Sequence, residues 1–231
     1  MSKLAQDVRF GARMLRKNPG FTLVAVVALA FGIASSTAIF SIVDQVLLRP
    51  LPYPQPEQIL EVTQSERSTG AWKADASPAN YLDWVALNHV FSEMAAARGW
   101  QANLTGGDRP ERIRSSMTTA SFFPLFGIPP LLGRALTRAD ETPGSAHVAV
   151  LSYALWQRRY TADPSIVGRN IMLDGEPYTV VGIMPQRFGP DNYGELWVPS
   201  PWQVPFNPVR PNEDPRPQRD NNYLSVWARL I

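Results

Sequence analysis

Residues 21–43 read FTLVAVVALAFGIASSTAIFSIV, a run of 23 residues that contains no charged side chain. A helix of this length extends about 34 Å at a rise of about 1.5 Å per residue. The hydrocarbon core of a bilayer is about 30 Å thick, so the run is long enough to cross it. We therefore predict a transmembrane helix, with nearly all of the following chain on one side of the membrane.

The charges that flank this run predict its orientation. Residues 1–20 carry a net charge of +4, from Asp7 and five basic residues: Lys3, Arg9, Arg13, Arg16 and Lys17. Beyond the run, Asp44 and Arg49 cancel each other. Because basic flanks stay in the cytoplasm, we expect a cytoplasmic N-terminus, one crossing of the plasma (inner) membrane and a periplasmic or extracytoplasmic bulk. The whole chain carries +2, so the residues after position 20 carry −2.

The basic leader, residues 1–20, has the pattern of an amphipathic helix. Its basic residues at positions 9–17 share one side of a helical wheel, and the other side is formed by Leu4, Val8, Gly11, Ala12 and Leu15. Such a helix would lie on the inner leaflet, each basic group contributing about 1 kcal/mol against anionic lipid. Residues 18–20, Asn-Pro-Gly, predict a turn into the spanning helix. The alternative is a basic tail surrounded by solvent.

Two other interpretations of the apolar run stay open. A cleaved signal peptide would explain the basic start and the small residues at 34–36, Ala-Ser-Ser. Hydrophobicity continues past Ser36 to Val43, and the leader is long for a signal peptide, so we favour the retained helix. The third interpretation is a buried helix of a soluble protein. Small residues at Ala28, Gly32 and Ser36 would allow close helix packing, although small residues are common in spanning helices.

Composition limits what the remaining chain can be. Residues 49–231 are enough for one large or two small domains. The chain has no cysteine, which excludes disulfides, thiolate nucleophiles and cysteine-based zinc sites. Proline is frequent, and 11 of its 22 copies cluster at 49–56 and 199–217, where we expect extended connectors.

Hydrophobic patterning predicts mixed secondary structure. We expect helices over 77–88, 120–126 and 153–160, the first capped by Ser77 before Pro78 and the last by Ser152. Loops are expected over 64–76 and 131–146, and a hairpin turn at Asp174-Gly175, lengthened by Glu176 and Pro177. Strands are expected over 59–63, 94–105, 111–118, 147–151, 170–174, 178–184, 195–198 and 223–230. This mixture is typical of the α+β class.

No catalytic, cofactor-binding or metal-binding residues can be assigned from the sequence. His89 and His147, the only histidines, have no metal-ligand spacing, and we interpret both as surface or strand-edge residues. The pair Asp140-Glu141 is interpreted as solvated rather than as a general acid and base. No phosphate-binding loop is present, and two histidines leave little scope for a Ser-His-Asp triad. We therefore predict that the protein is not an enzyme.

Two further patterns have a structural and a functional interpretation. Arg158-Arg159 beside aromatic residues suggests nucleic-acid contact, but the net −2 of this region argues against such a partner. Six aromatic residues either form the core, which we favour, or line a pocket for an apolar ligand: Trp84, Phe91, Phe122, Phe123, Phe126 and Trp156.

Short motifs in a fixed order resemble a known family. Near the membrane run they are RMLRKNPGF (13–21), AIFS (38–41) and LLRPLPYP (47–54). Later ones are YLDW (81–84) with VF (90–91), SFF (121–123), LFGI (125–128), LGR (132–134), LS (151–152) with Trp156, DPSIVG (163–168) and DGEPYTVVGIMP (174–185). Together they resemble the MacB/FtsX-type ABC transporter permeases, in the orphan branch without a fused ATPase, and the MacB-like periplasmic core domain.

The resemblance implies an architecture and a function. The fold class is then α+β: one long N-terminal transmembrane helix followed by a two-lobed mixed α/β periplasmic domain. The divisions are a cytoplasmic leader (1–20), a transmembrane helix with a periplasmic extension (21–48) and the core domain (49–231). The domain would transmit conformational change in the efflux of small molecules, peptides or lipoproteins. The alternative is a membrane-anchored periplasmic binding or sensor module.

The resemblance also implies partners and a truncation. The partners are the lipid bilayer, a separate ABC ATPase, the remaining permease helices, a periplasmic adaptor and, in the full-length form, a second copy; nucleic acid is not among them. Family members return to the membrane after the core domain, so we expect this chain to be an N-terminal fragment. Residues 34–36 depart from the Gly-Ala-Asn that the family tends to have there, which concerns helix packing only.

Overall fold

The computed structural model describes residues 3–43, 53–66, 71–107, 109–186, 188–189 and 194–231. The chain divides into two compact units, Met1–Leu51 and Pro52–Ile231. The predicted extension of the membrane helix over 44–48 lies outside the described residues, as does Asp108 in the turn after residue 105.

The first unit consists of two helices, α1 (Lys3–Lys17) and α2 (Pro19–Val43). Proline suits the first position of a helix, and Pro19 begins α2 directly after Asn18. The Thr22 hydroxyl donates to the Leu15 carbonyl at 2.8 Å, which ties the start of α2 to the end of α1. Within α2, Pro19–Ser41 is long and apolar enough to span a membrane, with a mean hydropathy of 2.3 and none of it buried. The predicted helices are thus confirmed, but the turn predicted over residues 18–20 is wrong for Pro19 and Gly20, which belong to α2.

The second unit alternates strands with short helices. Its helices are α3 (Pro78–Leu87), α4 (Phe122–Phe126) and α5 (Tyr153–Tyr160). Short 3-10 turns cover Pro56–Gln58, Arg138–Glu141 and Pro164–Ile166. The strands are β1 (Ile59–Val62), β2 (Gln64–Glu66), β3 (Ala71–Ala74), β4 (Phe91–Thr105), β5 (Glu111–Thr118), β6 (Leu132–Gly133), β7 (Val148–Leu151), β8 (Asn170–Leu173), β9 (Glu176–Ile183), β10 (Leu196–Pro199) and β11 (Ser225–Leu230).

Nine of the strands formed by the described residues make one mixed sheet. Its order is β1-β11-β4-β5-β10-β7-β9-β6, and β8 pairs with both β9 and β4. The β5/β10 and β7/β9 pairs are parallel and the others antiparallel. Because β8 returns to the far end of β4, six strands close into a ring: β4, β5, β10, β7, β9 and β8.

The strand β4 connects the two parts of this sheet. At about 3.3 Å per residue its 15 residues extend about 50 Å. Residues 91–97 pair with β11, residues 97–104 pair with β5, and residues 104–105 pair with β8. The mixed α/β class after an N-terminal apolar helix is confirmed, and the two parts expected as lobes share one continuous sheet through β4.

Three apolar clusters fill the second unit. The first lies in the strand ring beneath α5 and includes Leu104, Leu151 and Leu155. The second packs α4 on one face of β4, against Ala95 and Ala97. The third packs α3 and the proline-rich loop on the opposite face, against Ala96. All three alanines are fully buried, since small side chains let elements approach β4 closely on both faces.

Local sequence signals explain several element boundaries. The Ser77 and Ser152 hydroxyls accept from the backbone N–H groups of Asn80 and Leu155, at 3.4 and 3.1 Å, as predicted for helix caps. Asp174 and Gly175 have φ of 50° and 89° and form a two-residue hairpin turn.

Three predictions of irregular structure are wrong. Residues 131–146, predicted as a loop, contain the two-residue strand β6, which pairs with β9, and the 3-10 turn Arg138–Glu141. Residues 64–76, predicted as a loop, contain the antiparallel ribbon of β2 and β3. This ribbon pairs with no other strand of the described chain. Its residues lack the apolar alternation of a half-buried strand, which explains why the sequence did not predict it. Glu176 and Pro177 belong to β9 rather than to the hairpin loop. Proline fits there because Pro177 pairs only with Met172 of β8, before β9 meets β7.

Candidate functional site

The first strand of the second unit joins the sheet only through β11. Ile59–Val62 pairs antiparallel with residues 226–229, so Ile59 lies opposite Arg229. Since β1 follows the membrane helix in the chain, this pairing is where that part of the sequence enters the sheet. We call the residues that hold it the junction: Tyr53, Pro54, Gln58, Leu125, Phe126 and Arg229.

One arginine holds three segments of the junction together. The Arg229 Nε donates to the Leu125 carbonyl at 2.7 Å, and its Nη2 donates to the Pro54 carbonyl at 3.0 Å. Its Nη1 lies 3.4 Å from Gln58 Oε1. Leu125 is in the last turn of α4, where carbonyl groups have no partner within the helix and a cation is favourable. Arg229 therefore ties the segment before β1 to α4.

Apolar contacts also hold the junction together. The rings of Tyr53 and Phe126 lie 4.9 Å apart between centroids. Gly127 ends α4 in the left-handed conformation, with φ of 68°, and a Cβ built there would lie 3.4 Å from Pro54 Cγ. The segment before β1 is thus packed closely against the end of α4.

Neither histidine lies at the junction. His147 stacks on Tyr178 with ring centroids 4.8 Å apart, while His89 lines a groove after α3. Within the described ranges, no three His, Asp or Glu side chains are placed to hold a metal ion. Both histidines stay interpreted as edge or surface residues.

The two arginines at the end of α5 have structural partners. Arg158 bridges Glu111 and Glu195 with N–O distances of 2.6 Å to each. Arg159 donates to the Arg109 carbonyl at 2.6 Å. Cations are also favourable at the C-terminus of a helix. These contacts give the pair a role in holding α5 to β5 and to the segment before β10.

The aromatic residues divide between core and groove. Phe122, Phe123 and Phe126 are buried with Phe188 in the second cluster, and Trp156 is buried in the first, as the core interpretation predicts. Trp84 and Phe91 are half-buried and line an open apolar groove of about 550 Å³ with Val62, Leu87, His89 and Val90.

The solvated interpretation of Asp140-Glu141 is wrong for Glu141. This side chain is 5% exposed, and its Oε1 accepts from the Ala120 N–H at 2.9 Å. Burial raises the pKa of Glu141 to about 7, against the opposing effects of that N–H and of Arg138. Burial also acts to raise the pKa of Asp140, but hydrogen bonds from Arg134 and Thr137 lower it overall. The hydrogen bond from Ala120 gives Glu141 a role in holding the turn before α4.

Glu141 should make stability depend on pH. Its pKa is about 7 in the fold and about 4.5 ordinarily, so the folded protein binds more protons between these values. Stability from this group is therefore full below about pH 4.5, falls as pH rises to about 7, and stays low above. Between pH 5 and pH 8 we expect a loss of about 2–3 kcal/mol, since the difference in protonation spans about two pH units there and one pKa unit corresponds to about 1.4 kcal/mol.

Urea unfolding of the full chain at pH 5 and pH 8, followed by tryptophan fluorescence, measures this difference. Glu141→Gln should remove most of it, whereas the exposed Glu213→Gln should leave it unchanged. An equal pH dependence in wild type and Glu141→Gln would show that Glu141 is not its source.

The comparisons with known proteins agree with this fold. The family model of the MacB-like periplasmic core domain matches residues 22–229. The periplasmic region of MacB from Actinobacillus actinomycetemcomitans is similar at 13% identity and a TM-score of 0.52, over 74% of this chain and 72% of that one. No curated protein sequence matches the chain.

Two more solved structures are similar. A domain assigned to a permease protein from Porphyromonas gingivalis has a TM-score of 0.58 at 13% identity, over 78% of this chain and 75% of that one. The extracellular domain of the ABC-type transporter YknZ from Gram-positive bacteria has a TM-score of 0.50 at 14% identity, over 74% and 81%. At such identities the likeness concerns the fold.

The family model covers most of the chain, and the described residues near the N-terminus include one helix of spanning length, Pro19–Ser41. The protein is therefore membrane-anchored, and its family is a component of transporter permeases rather than a classical enzyme. The chain belongs to the MacB-like periplasmic core domain family of ABC-type transporter permeases.

Proposed function

We propose that this protein is the membrane anchor and periplasmic domain of an export permease and that the domain transmits conformational change. The observation that carries this proposal is the junction. The sequence that follows the membrane helix enters the sheet at β1, and Arg229 holds the segment before β1 to α4.

A movement at the junction has a continuous path through the sheet. Arg229 belongs to β11, and β11 pairs with β4 over residues 91–97. β4 continues into the strand ring, where it pairs with β5 and β8. Residues 94–97 of β4 are buried on both faces, and such a segment resists bending because close-packed interiors transmit strain. A displacement of Pro54 would therefore reach the ring at residue 97, where β4 passes from β11 to β5, and continue to the pairing with β8 at residues 104–105.

The partners of this proposal follow the family resemblance. A separate ABC ATPase would drive the remaining permease helices in the cytoplasm and membrane, and the periplasmic domain would move in response. A periplasmic adaptor and a second permease copy would complete the assembly. Small molecules, peptides or lipoproteins would be the exported substrates.

We also propose the orientation and the division into a leader (1–20), a membrane helix (21–48) and a periplasmic domain (49–231). The boundary between the two compact units falls between Leu51 and Pro52, close to the boundary proposed between residues 48 and 49. Since the chain has no cysteine, single cysteines can test the orientation. We expect a membrane-impermeant maleimide to label Val209→Cys in intact spheroplasts. The same reagent should label Lys17→Cys only after lysis. The reverse pattern would contradict the proposed orientation.

A second candidate function is a membrane-anchored binding or sensor module. The apolar groove favours it, because Trp84 and Phe91 line an opening of about 550 Å³. Titration of the full chain with an apolar fluorescent probe separates the two functions. Micromolar binding that Trp84→Ala abolishes and Trp202→Ala preserves would favour the sensor module over the transmitting domain.

A further inference from the structure

Arg98 is a half-buried cation that has no hydrogen-bond or ion-pair partner among the described residues. It lies in the middle of β4, directly opposite Met117 of β5. Its Nε–H is buried and has no hydrogen-bond acceptor among the described residues. Within the described part of the chain, its guanidinium forms no ion pair. Burial lowers the pKa of Arg98, and the neighbouring Tyr223 acts weakly against this shift.

Aromatic side chains lie beside Arg98, and no carboxylate of the described residues pairs with it. Its guanidinium carbon lies 4.8 Å from the centroid of the Phe206 ring. The Tyr223 hydroxyl is engaged with the Pro205 carbonyl at 2.8 Å. Two residues from Met117 on the same face, Ser115 has a buried hydroxyl that is also without a partner among the described residues. Two unsatisfied donors thus occupy one face of the sheet.

Such a group needs an explanation, because a buried donor without an acceptor costs about 1–3 kcal/mol and more when charged. More exposed arginines of the same domain do have acceptors. They are Arg134 with Asp140, Arg158 with Glu111 and Glu195, Arg216 with Asp214, and Arg219 with Asp83. Arg98 differs from them in being more deeply placed and in lacking any carboxylate.

We propose that Arg98 binds a carboxylate group of a ligand, beneath the proline-rich loop that carries Phe206. Phe206 lies beside the guanidinium, whose terminal N–H groups form a planar fork that matches a planar acceptor. A carboxylate matches that fork with two hydrogen bonds. Phosphate carries more charge and is more strongly hydrated, so it fits less well between aromatic side chains.

The competing role for Arg98 is a clamp that holds the loop through Phe206 alone. A clamp needs no anion, so added carboxylate would not change the stability of the protein. Thermal unfolding of the full chain in detergent distinguishes the roles. The probes are sodium acetate and sodium benzoate, with sodium phosphate and sodium chloride as comparisons at equal ionic strength.

We expect acetate and benzoate to raise the unfolding temperature saturably above that in chloride. Arg98→Met should remove the shift, and Arg98→Lys, which keeps the charge but loses the fork, should weaken the apparent affinity about tenfold. Arg216→Met is the matched control, because Arg216 also stacks on a ring, Trp202 at 5.2 Å, but already binds Asp214. It should keep the full shift.

Three results would overturn the proposal. One is a wild-type protein that responds equally to chloride and to both carboxylates. Another is a carboxylate shift that persists in Arg98→Met and in Arg98→Lys. The third is a shift with phosphate alone, which would assign Arg98 to a different anion. If Arg98→Met does not fold, Arg98→Lys still decides, since an undiminished affinity there excludes bidentate binding.

Discussion

Phe122→Ala should lower the free energy of unfolding of the periplasmic domain by about 3–5 kcal/mol, the cost of removing a fully buried aromatic ring. Phe122 is 0% exposed and lies at the centre of the second cluster. Its ring centroid is 4.9–6.1 Å from the rings of four others: Phe123, Phe126, Phe188 and Trp227. Because rings on α4 and β11 both contact it, the cavity cannot close by a small local shift.

Urea unfolding of the full chain measures this loss. All seven tryptophans lie after position 70, so their fluorescence reports on the domain and not on the membrane helix. Val209→Ala is a control at a position 77% exposed, where we expect a change within about 0.5 kcal/mol. A loss below about 1 kcal/mol for Phe122→Ala would contradict the proposed packing around α4.

Arg229→Met should lower the free energy of unfolding by about 3 kcal/mol. Hydrogen bonds from a charged group contribute about 1.5–3 kcal/mol each and are not additive. The change leaves the Leu125 and Pro54 carbonyls without their guanidinium donor but keeps most of the apolar stem. The same urea experiment measures the loss.

Arg219→Met is the matched control for the junction. Arg219 also contacts distant residues, Asp83 at 2.7 Å and Asn80 at 2.7 Å, but at an exposed site where such pairs contribute about 0–1 kcal/mol. Equal losses for the two variants would show that Arg229 is an ordinary surface arginine.

Local sequence signals were sufficient for many elements. The limits of β5 and α5 agree with the predicted 111–118 and 153–160, because Ser152 caps α5 and turn residues bound both segments. The Asp174-Gly175 turn was predicted because both positions favour positive φ. The apolar run predicted α2 by length and composition alone. In each case the determining residues are neighbours in sequence.

Long-range contacts explain most of what the sequence did not predict. Glu141 is buried because it meets Ala120 of the segment before α4, and nothing around Glu141 in the sequence indicates that contact. Arg229 meets Leu125 and Pro54, which are 104 and 175 positions away. The motif LLRPLPYP drew attention to residues 53–54, but no signal indicated Arg229 or the unpartnered Arg98. The ring of strands likewise depends on β8 returning to β4.

The proposed transmission requires the junction to be mechanically continuous with β4. Hydrogen exchange of the full chain, compared between wild type and Arg229→Met, tests it most directly, since local opening exposes amides along cooperative units. We predict faster exchange in β1, in β11 and in residues 91–97 of β4, with Arg219→Met unchanged there. Faster exchange confined to residues 53–58, with β11 and β4 as protected as in wild type, would contradict the claim.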